Sequence, residues 1–298
     1  MYLQHFGLKE FPFKLTPDTS FYYATQSYQE ALNTLLIAIS SGEGFIKITG
    51  EVGTGKTLLC RKLLKSLGDG FKTAFIPNPY LDPQALLMAL AAELGLQLPY
   101  QLNHHALLEA LSQRLMQLAR EDKQVVVCLD EVQAMPIETL EALRLLSNLE
   151  TEKRKLLQVV IFGQPELEEK LDQPSIRQLR QRISFEYRLG ALQWHELSFY
   201  LNHRMHIAGY NGWRVFTPAS LRLLHQHSAG IPRLVNILAH KALLSAYGKG
   251  LREVTMREMR EAVLDTHASV RAQHGWSYLI FKWWLAMGVA RATLFLSH

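Results

Sequence analysis

Up to about residue 190, short apolar runs alternate with longer stretches in which apolar residues recur every three or four positions. The short runs predict buried strands, and the longer stretches predict helices with one apolar face. Such alternation is typical of a mostly parallel sheet that is covered by helices on both faces. The strand candidates are a run that starts at Phe45 and residues 71–76, 125–129, 156–162 and 183–187; the helix candidates are residues 29–40, 83–94, 105–119, 137–149 and 174–181.

From about Leu192 onward the strand pattern stops and only helical periodicity remains, so we place a domain boundary near Gly190. Helices are predicted near residues 193–208, 218–227, 232–246 and 256–267. The predicted organisation is an N-terminal wrapping segment rich in aromatics and prolines (1–27), an α/β domain (28–190), a smaller all-helical lid domain (191–268), and a linker with a hydrophobic, Trp-rich tail (269–298).

A glycine-rich turn separates the first strand candidate from a helix that starts at about Lys56, and its pattern is G-x-x-x-x-G-K-T. Glycines let the backbone curl so that successive amides point at one anion. A lysine at this position can reach the β- and γ-phosphates of a nucleotide, and the Thr57 hydroxyl can ligate Mg²⁺. The candidate nucleotide-binding residues are Gly50, Glu51, Val52, Gly53, Thr54, Gly55, Lys56, Thr57 and Leu58.

Two adjacent carboxylates, Asp130 and Glu131, follow the buried strand candidate 125–129. In a parallel sheet this strand end lies near the glycine turn, so Asp130 can hold Mg²⁺ directly or through water. Hydrolysis of a nucleoside triphosphate needs one further group to orient the attacking water, and Glu131 suits that role. The sequence therefore predicts a site for ATP and Mg²⁺, with Thr57 and Asp130 as the metal ligands.

Composition narrows the class of protein. The chain has 298 residues, 48% of them hydrophobic and 20% charged, which is typical of an ordinary globular protein. The net charge of +5 permits an anionic partner but does not require nucleic acid. Cys60 and Cys128 lie in apolar contexts and are interpreted as core thiols rather than a disulfide, and the histidines show no metal-ligand spacing. No export signal is evident, so we expect a cytoplasmic protein.

These motifs together resemble the AAA+ ATPases, and within them the group of general-secretion-pathway protein A. The resemblance covers residues 1 to about 268. Its marks are Phe6-Gly7-Leu8, Pro12-Phe13 and Pro17-Asp18, the stretch Gly50–Thr57, Asp130-Glu131, Gly163-Gln164-Pro165-Glu166-Leu167, Leu179-Arg180-Gln181-Arg182 and Gly230-Ile231-Pro232-Arg233. The resemblance implies a P-loop fold and ATP hydrolysis. It further implies assembly or remodelling of a type IV pilus, similar to the mannose-sensitive haemagglutinin pilus, or of a type II secretion complex at the inner membrane.

The resemblance also implies roles for four residues outside the two main motifs. Gln164 matches the sensor-1 position, where a polar side chain contacts the γ-phosphate or the attacking water. Arg233 matches the sensor-2 arginine. Arg180 and Arg182 match the arginine-finger position, which reaches the nucleotide of a neighbouring subunit; which of the two reaches is left open. An arginine that acts in trans implies a ring or helical homo-oligomer.

The last residues form a distinct tail with Trp276, Trp283 and Trp284, interrupted by Lys282 and Arg291. Its aromatic content favours a membrane interface or short anchor, and a spanning helix or a tail buried on the lid or a partner subunit are the alternatives. We therefore expect a cytoplasmic protein that is peripheral to, or anchored in, the inner membrane. Pilus or secretion assembly proteins are the expected partners.

Two further functions fit the same motifs. One is a DNA-associated AAA+ ATPase of the transposition or replication-initiation type, although the short, weakly basic C-terminal extension is unlike an added DNA-reading domain. The other is a nucleotide-gated binding switch whose hydrolysis is incidental. Blocking hydrolysis with Glu131→Gln while binding persists would separate the switch from a motor.

Overall fold

Five parallel strands form the central sheet. The computed structural model of the chain describes residues 2–77, 80–99, 102–146, 149–150 and 155–266. The strand order is β2-β3-β4-β1-β5, and all four neighbouring pairs are parallel. The predicted parallel α/β fold is therefore confirmed. The strands are β1 (Phe45–Thr49), β2 (Phe71–Ile76), β3 (Gln124–Leu129), β4 (Leu157–Gly163) and β5 (Ile183–Arg188).

The helices occur where the apolar periodicity predicts them, with a few additions. The helix predicted over 174–181 divides into a 3₁₀ turn and a short α-helix, and α1 and α7 were not predicted. Residues 256–266 are also helical. The helices are α1 (Tyr2–Phe6), α2 (Gln26–Ser40), α3 (Lys56–Ser66), α4 (Pro83–Glu93), α5 (His104–Arg120), α6 (Ile137–Leu146), α7 (Glu166–Leu171), α8 (Arg177–Arg180), α9 (Trp194–Ile207), α10 (Pro218–Ser228) and α11 (Pro232–Gly248), with 3₁₀ turns at Thr19–Phe21, Val132–Ala134 and Pro174–Ile176.

Side chains alternate between the two faces of the sheet, and each face is buried under its own helices. Ile46, Ile48 and Cys128 pack in the cluster that includes residues of α2 and α3. Phe45 and Val127, one position away, pack in the other cluster with residues of α4, α5 and α6. Because both faces are covered, the central strands β1, β3 and β4 are buried along almost their whole length, whereas the edge strands β2 and β5 are only partly buried.

Several helix starts are determined by local capping. The Asp82 side chain accepts a hydrogen bond from the Ala85 amide at 2.7 Å, and Pro83 occupies the first turn of α4. In the helix over 256–266, the Thr255 amide donates to the Glu258 carboxylate at 3.1 Å, and the Thr255 hydroxyl accepts a hydrogen bond from the Arg257 amide at 3.2 Å. This reciprocal arrangement is the capping box that the sequence predicts.

Contacts divide the chain into two units. The α/β unit comprises Thr16–Glu196 and Ile231–Arg233, and the helical unit comprises the remaining described residues. The division falls beyond the boundary predicted near Gly190, because the first turn of α9 is bonded within the α/β unit. There the Glu196 carboxylate accepts a hydrogen bond from the Gln26 amide at 3.0 Å.

The N-terminal segment is also divided differently from the prediction. Residues up to Leu15 belong to the helical unit, whereas a single wrapping segment over 1–27 was expected. The physical reason is aromatic packing: the Tyr2 ring lies 5.5 Å from the His240 ring, and the Phe13 ring lies 6.1 Å from the Phe216 ring. Sequence composition showed the aromatics but not their partners.

The tail at 269–298 and its membrane alternatives lie outside the described residues. Within the described ranges, no helix combines the length and apolar character needed to cross a bilayer.

Candidate functional site

The glycine turn connects the end of β1 to the start of α3, and two of its glycines are required by the backbone. Gly53 and Gly55 have φ of 84° and 99°. A Cβ atom on Gly53 would lie 2.6 Å from the Cβ atom of Arg233, and one on Gly55 would overlap the hydroxyl oxygen of Tyr28. Any side chain at either position would therefore displace the loop.

The loop is held from outside by two groups. The Tyr28 hydroxyl lies 2.7 Å from the Gly55 carbonyl oxygen and 3.1 Å from that of Thr54, so one donated hydrogen bond is shared between the carbonyls. The backbone amide of Arg233 donates to the Gly53 carbonyl oxygen at 3.1 Å. Tyr28 was missed by the sequence analysis, because nothing in the local pattern of α2 distinguishes it from a packing residue.

Lys56 is buried inside this loop. Its Nζ donates to the carbonyl oxygens of Gly50 at 2.8 Å and Glu51 at 3.1 Å. Burial lowers the pKa of Lys56, while the carboxylates of Glu131 and Asp130 oppose this. The ammonium group is thus positioned where the loop amides and the start of α3 converge, which is an arrangement that favours a phosphate anion.

The other predicted loop residues have different environments. Thr54 is buried, and its hydroxyl donates to the Glu51 carbonyl oxygen at 2.8 Å, which tightens the turn. Val52 is 55% exposed, and Leu58 is half-buried in the first turn of α3. The Glu51 carboxylate faces Arg188 at 3.5 Å.

The predicted metal ligands are in direct contact. The Thr57 hydroxyl donates to Asp130 Oδ2 at 2.5 Å, and Asp130 is 3% exposed. Burial raises the pKa of Asp130, and the hydrogen bond from Thr57 opposes this. A hydroxyl and a carboxylate oxygen side by side fit Mg²⁺, which prefers oxygen ligands. In the described ranges no cluster of three or more His, Cys, Asp or Glu side chains could hold a metal ion.

Glu131 belongs to a small network of side-chain amides. It has φ of 56°, a left-handed conformation that turns the chain sharply after β3. Its Oε2 accepts hydrogen bonds from Gln164 Nε2 at 2.8 Å and from Gln133 Nε2 at 2.5 Å. The backbone N–H of Gln164 donates to Gln133 Oε1 at 3.1 Å. The structure thus brings Glu131 and Gln164 together and adds Gln133, which the sequence analysis missed.

The three predicted arginines are placed differently from one another. The backbone of Arg233 adjoins the loop, its side chain is exposed, and no described residue pairs with its guanidinium group. Arg180 and Arg182 precede β5, whose end at Arg188 pairs with the end of β1 at Thr49. They therefore lie beyond the opposite end of a strand that spans about 16 Å. The structure does not bring these two arginines to the site of their own chain.

A comparison with protein families matches the AAA domain to residues 39–171. The chain is also 39% identical over 278 residues to general secretion pathway protein A of Aeromonas hydrophila, across 93% of this chain and 50% of that protein. Residues 39–171 therefore form an AAA domain, and the chain is similar along most of its length to general secretion pathway protein A. It spans about half the length of this curated relative. The resemblance that the motifs indicate is therefore confirmed.

Solved structures confirm the P-loop AAA+ fold. The ORC2 protein of Aeropyrum pernix matches with a TM-score of 0.58 and 20% identity, over 83% of this chain and 71% of that one. Cdc6p of Pyrobaculum aerophilum matches with a TM-score of 0.63 and 18% identity, over 82% and 70%. A Walker-type ATPase of Pyrococcus abyssi matches with a TM-score of 0.62 and 14% identity, over 91% and 80%. At these identities the similarity concerns the fold alone.

The AAA match contains the loop, Asp130, Glu131, Gln133 and Gln164, but not every residue that shapes the site. Tyr28 precedes the matched range and Arg233 follows it. Both contact the carbonyl oxygens of the loop. The site of this AAA protein is therefore completed by segments on either side of the matched AAA domain.

Proposed function

We propose that this AAA protein binds ATP with Mg²⁺ and hydrolyses it to drive the assembly or remodelling of a type IV pilus or type II secretion complex at the inner membrane. The observation that carries the nucleotide part is the placement of the buried Lys56 ammonium beside the contact between Thr57 and Asp130. A cation, a hydroxyl and a carboxylate at the mouth of a glycine turn fit the triphosphate and its metal. The similar ORC2 structure is of ADPNP and ADP complexes, which supports the same ligand class here.

The residues divide the work of hydrolysis among them. The loop amides and Lys56 bind the phosphates; Thr57 and Asp130 would hold Mg²⁺, which would neutralise charge on the phosphates. Glu131 orients a water and accepts its proton as the water oxygen bonds to the γ-phosphorus. The bond from that phosphorus to the bridging oxygen breaks, and the departing ADP retains the electron pair. Gln164 is positioned beside Glu131 to contact the γ-phosphate.

Hydrolysis also needs positive charge at the outer side of the γ-phosphate, and we assign the trans arginine to Arg180. Arg180 is exposed and its guanidinium group pairs with Asp172, also on the surface. Arg182 is half-buried and donates to the Arg144 carbonyl oxygen at 3.1 Å. An exposed arginine can exchange a surface partner for a neighbouring subunit's phosphate at little cost, because surface ion pairs contribute about 0–1 kcal/mol.

The biological role rests on the similarity to general secretion pathway protein A. A pilus resembling the mannose-sensitive haemagglutinin pilus is the substrate complex that we favour, and a homo-oligomer is the active form. Similarity to origin-recognition proteins supports the fold but is not evidence for a DNA-binding role. We further propose that residues 269–298 attach the protein to the membrane.

The experiment compares wild-type protein with Glu131→Gln. Wild-type protein should release phosphate from ATP with Mg²⁺, and the variant should show the same ATP-dependent rise in Tm with little turnover. Affinity capture of the ATP-loaded variant, followed by mass spectrometry, should recover inner-membrane pilus or secretion components. Absence of an ATP-dependent rise in Tm for folded wild-type protein would refute the nucleotide site. Recovery of DNA-bound proteins in place of membrane components would refute the assembly role.

A further inference from the structure

Gln133 lies two positions after Glu131, in the 3₁₀ turn Val132–Ala134 that follows β3. We infer that Gln133 is a positioning residue for hydrolysis, which fixes the Glu131 carboxylate and the Gln164 backbone relative to each other. This inference rests on the proposed ATP hydrolysis and assigns a role to a residue that the two main motifs do not contain. Gln133 does not contact the phosphates in the proposed mechanism; it acts through Glu131.

The carboxamide of Gln133 uses both of its ends. Its Nε2 donates to Glu131 Oε2 at 2.5 Å, and its Oε1 accepts a hydrogen bond from the backbone N–H of Gln164 at 3.1 Å. Gln164 in turn donates its own Nε2 to the same Glu131 oxygen at 2.8 Å. The three residues therefore form a closed ring of hydrogen bonds that joins the end of β3 to the end of β4.

The two oxygens of the Glu131 carboxylate differ in their hydrogen bonding. Oε2 accepts both side-chain amides, whereas Oε1 has no hydrogen-bond partner among the described residues. A carboxylate that is free to rotate would present either oxygen. Here the two donors hold one oxygen, so the other is the one available to orient and deprotonate a water. Correct orientation of such a group accounts for a large share of hydrolytic rate.

Gln133 is itself held in place by the helix that follows Gln164. Lys170 on α7 donates from Nζ to the carbonyl oxygen of Gln133 at 2.7 Å and to that of Met135 at 2.5 Å. Val132 and Met135, on either side, are fully buried. The turn therefore cannot shift without moving α7, and the Gln133 side chain is presented from a rigid support.

A carboxamide is the group that this position needs. Glutamate has the same length and can accept from the Gln164 amide, but it cannot donate to Glu131 and adds a second negative charge beside it. Methionine has a similar volume and can do neither. The two substitutions therefore separate the hydrogen bonds of Gln133 from its space-filling.

The test measures steady-state ATP hydrolysis and the ATP-dependent rise in Tm for the full chain with Mg²⁺. We expect Gln133→Met to lower kcat by about 10- to 100-fold while KM stays within about 3-fold, because orientation is lost but phosphate binding is not. Gln133→Glu should lower kcat at least as much, despite its equal size. Both variants should keep the ATP-dependent rise in Tm.

The matched control is Gln117→Met on α5. Gln117 donates Nε2 to the Glu121 carboxylate at 3.2 Å on an exposed surface, so the control deletes a bond of the same kind away from the site. Its kcat should equal the wild-type value. Wild-type kcat in Gln133→Met or in Gln133→Glu would overturn the inference, as would a loss of the ATP-dependent rise in Tm that parallels the loss of activity. These outcomes leave the proposed ATP hydrolysis intact, whereas an absence of hydrolysis in the wild-type protein would refute it.

Discussion

The contact between Tyr28 and the glycine turn leads to a prediction in which one substitution partly repairs another. Gly55 has φ of 99°, and a Cβ atom there would overlap the Tyr28 hydroxyl oxygen and approach its Cζ to 3.0 Å. Gly55→Ala therefore has two separate effects. The left-handed backbone costs about 1–3 kcal/mol for a residue with a side chain, and the overlap with the hydroxyl adds a steric cost that the loop or the tyrosine must relieve by moving.

The expected affinities follow from these terms. Tyr28→Phe loses a hydrogen bond that contributes about 0.5–1.5 kcal/mol, which weakens ADP binding by about 2- to 12-fold. In Gly55→Ala, backbone strain alone should weaken ADP binding by about 5- to 150-fold, and the steric overlap should weaken it further. In the double variant the hydroxyl is absent, so only the strain and the contact with the ring remain. The double variant should therefore bind ADP more tightly than Gly55→Ala alone, although each single change weakens binding.

The assay is titration of a fluorescent N-methylanthraniloyl-ADP with Mg²⁺, combined with far-ultraviolet circular dichroism to verify folding. Gly68→Ala is the matched control, because a Cβ atom there meets nothing within 4 Å. It should bind like the wild-type protein. If the double variant binds no more tightly than Gly55→Ala, the steric account of this contact is wrong. Unchanged affinity in Gly55→Ala would refute the need for glycine at that position.

Three other predictions concern charge and metal. Burial raises the pKa of Glu258, but hydrogen bonds from Thr255 and Lys249 outweigh the effect of burial and lower the pKa to about 2. Above pH 4.5 the Glu258 carboxylate should therefore stabilise the fold by about 3 kcal/mol. This contribution is lost as the pH falls through about 2, so Glu258→Gln should lower Tm at pH 7 and lower it less at pH 3. Buried Lys47 pairs with the more exposed Glu168 at 2.6 Å and Glu186 at 2.8 Å. Replacing both glutamates by glutamine should lower the free energy of urea unfolding by about 3–5 kcal/mol, because it leaves the buried Lys47 charge without a partner. Lys47→Met should lower it much less, because it removes that charge. Thr57→Val should abolish the difference in ATP-dependent Tm between Mg²⁺ and EDTA, and a retained difference would argue against Thr57 as a metal ligand.

Much of the fold and part of the site could be predicted because their causes are local in sequence. The central strands β1, β3 and β4 appear as largely apolar runs because both of their faces are buried. The starts of α4 and of the helix over 256–266 depend on side chains within three positions of the amides that they cap. The glycine turn, Lys56 and Thr57 lie in one short motif. The residues of the proposed phosphate site could therefore be identified without a structure.

What only the tertiary structure decided is which distant segments meet. The order β2-β3-β4-β1-β5 places the ends of β1, β3 and β4 side by side, and this brings Gln164 onto Glu131. Tyr28 reaches the glycine turn because α2 and α3 pack on the same face of the sheet. Hydrophobic periodicity identifies which side of an element is buried, but it carries no information about the element that covers it. Contacts between residues far apart in the chain arise from that packing, so the support of the site could be recognised only in three dimensions.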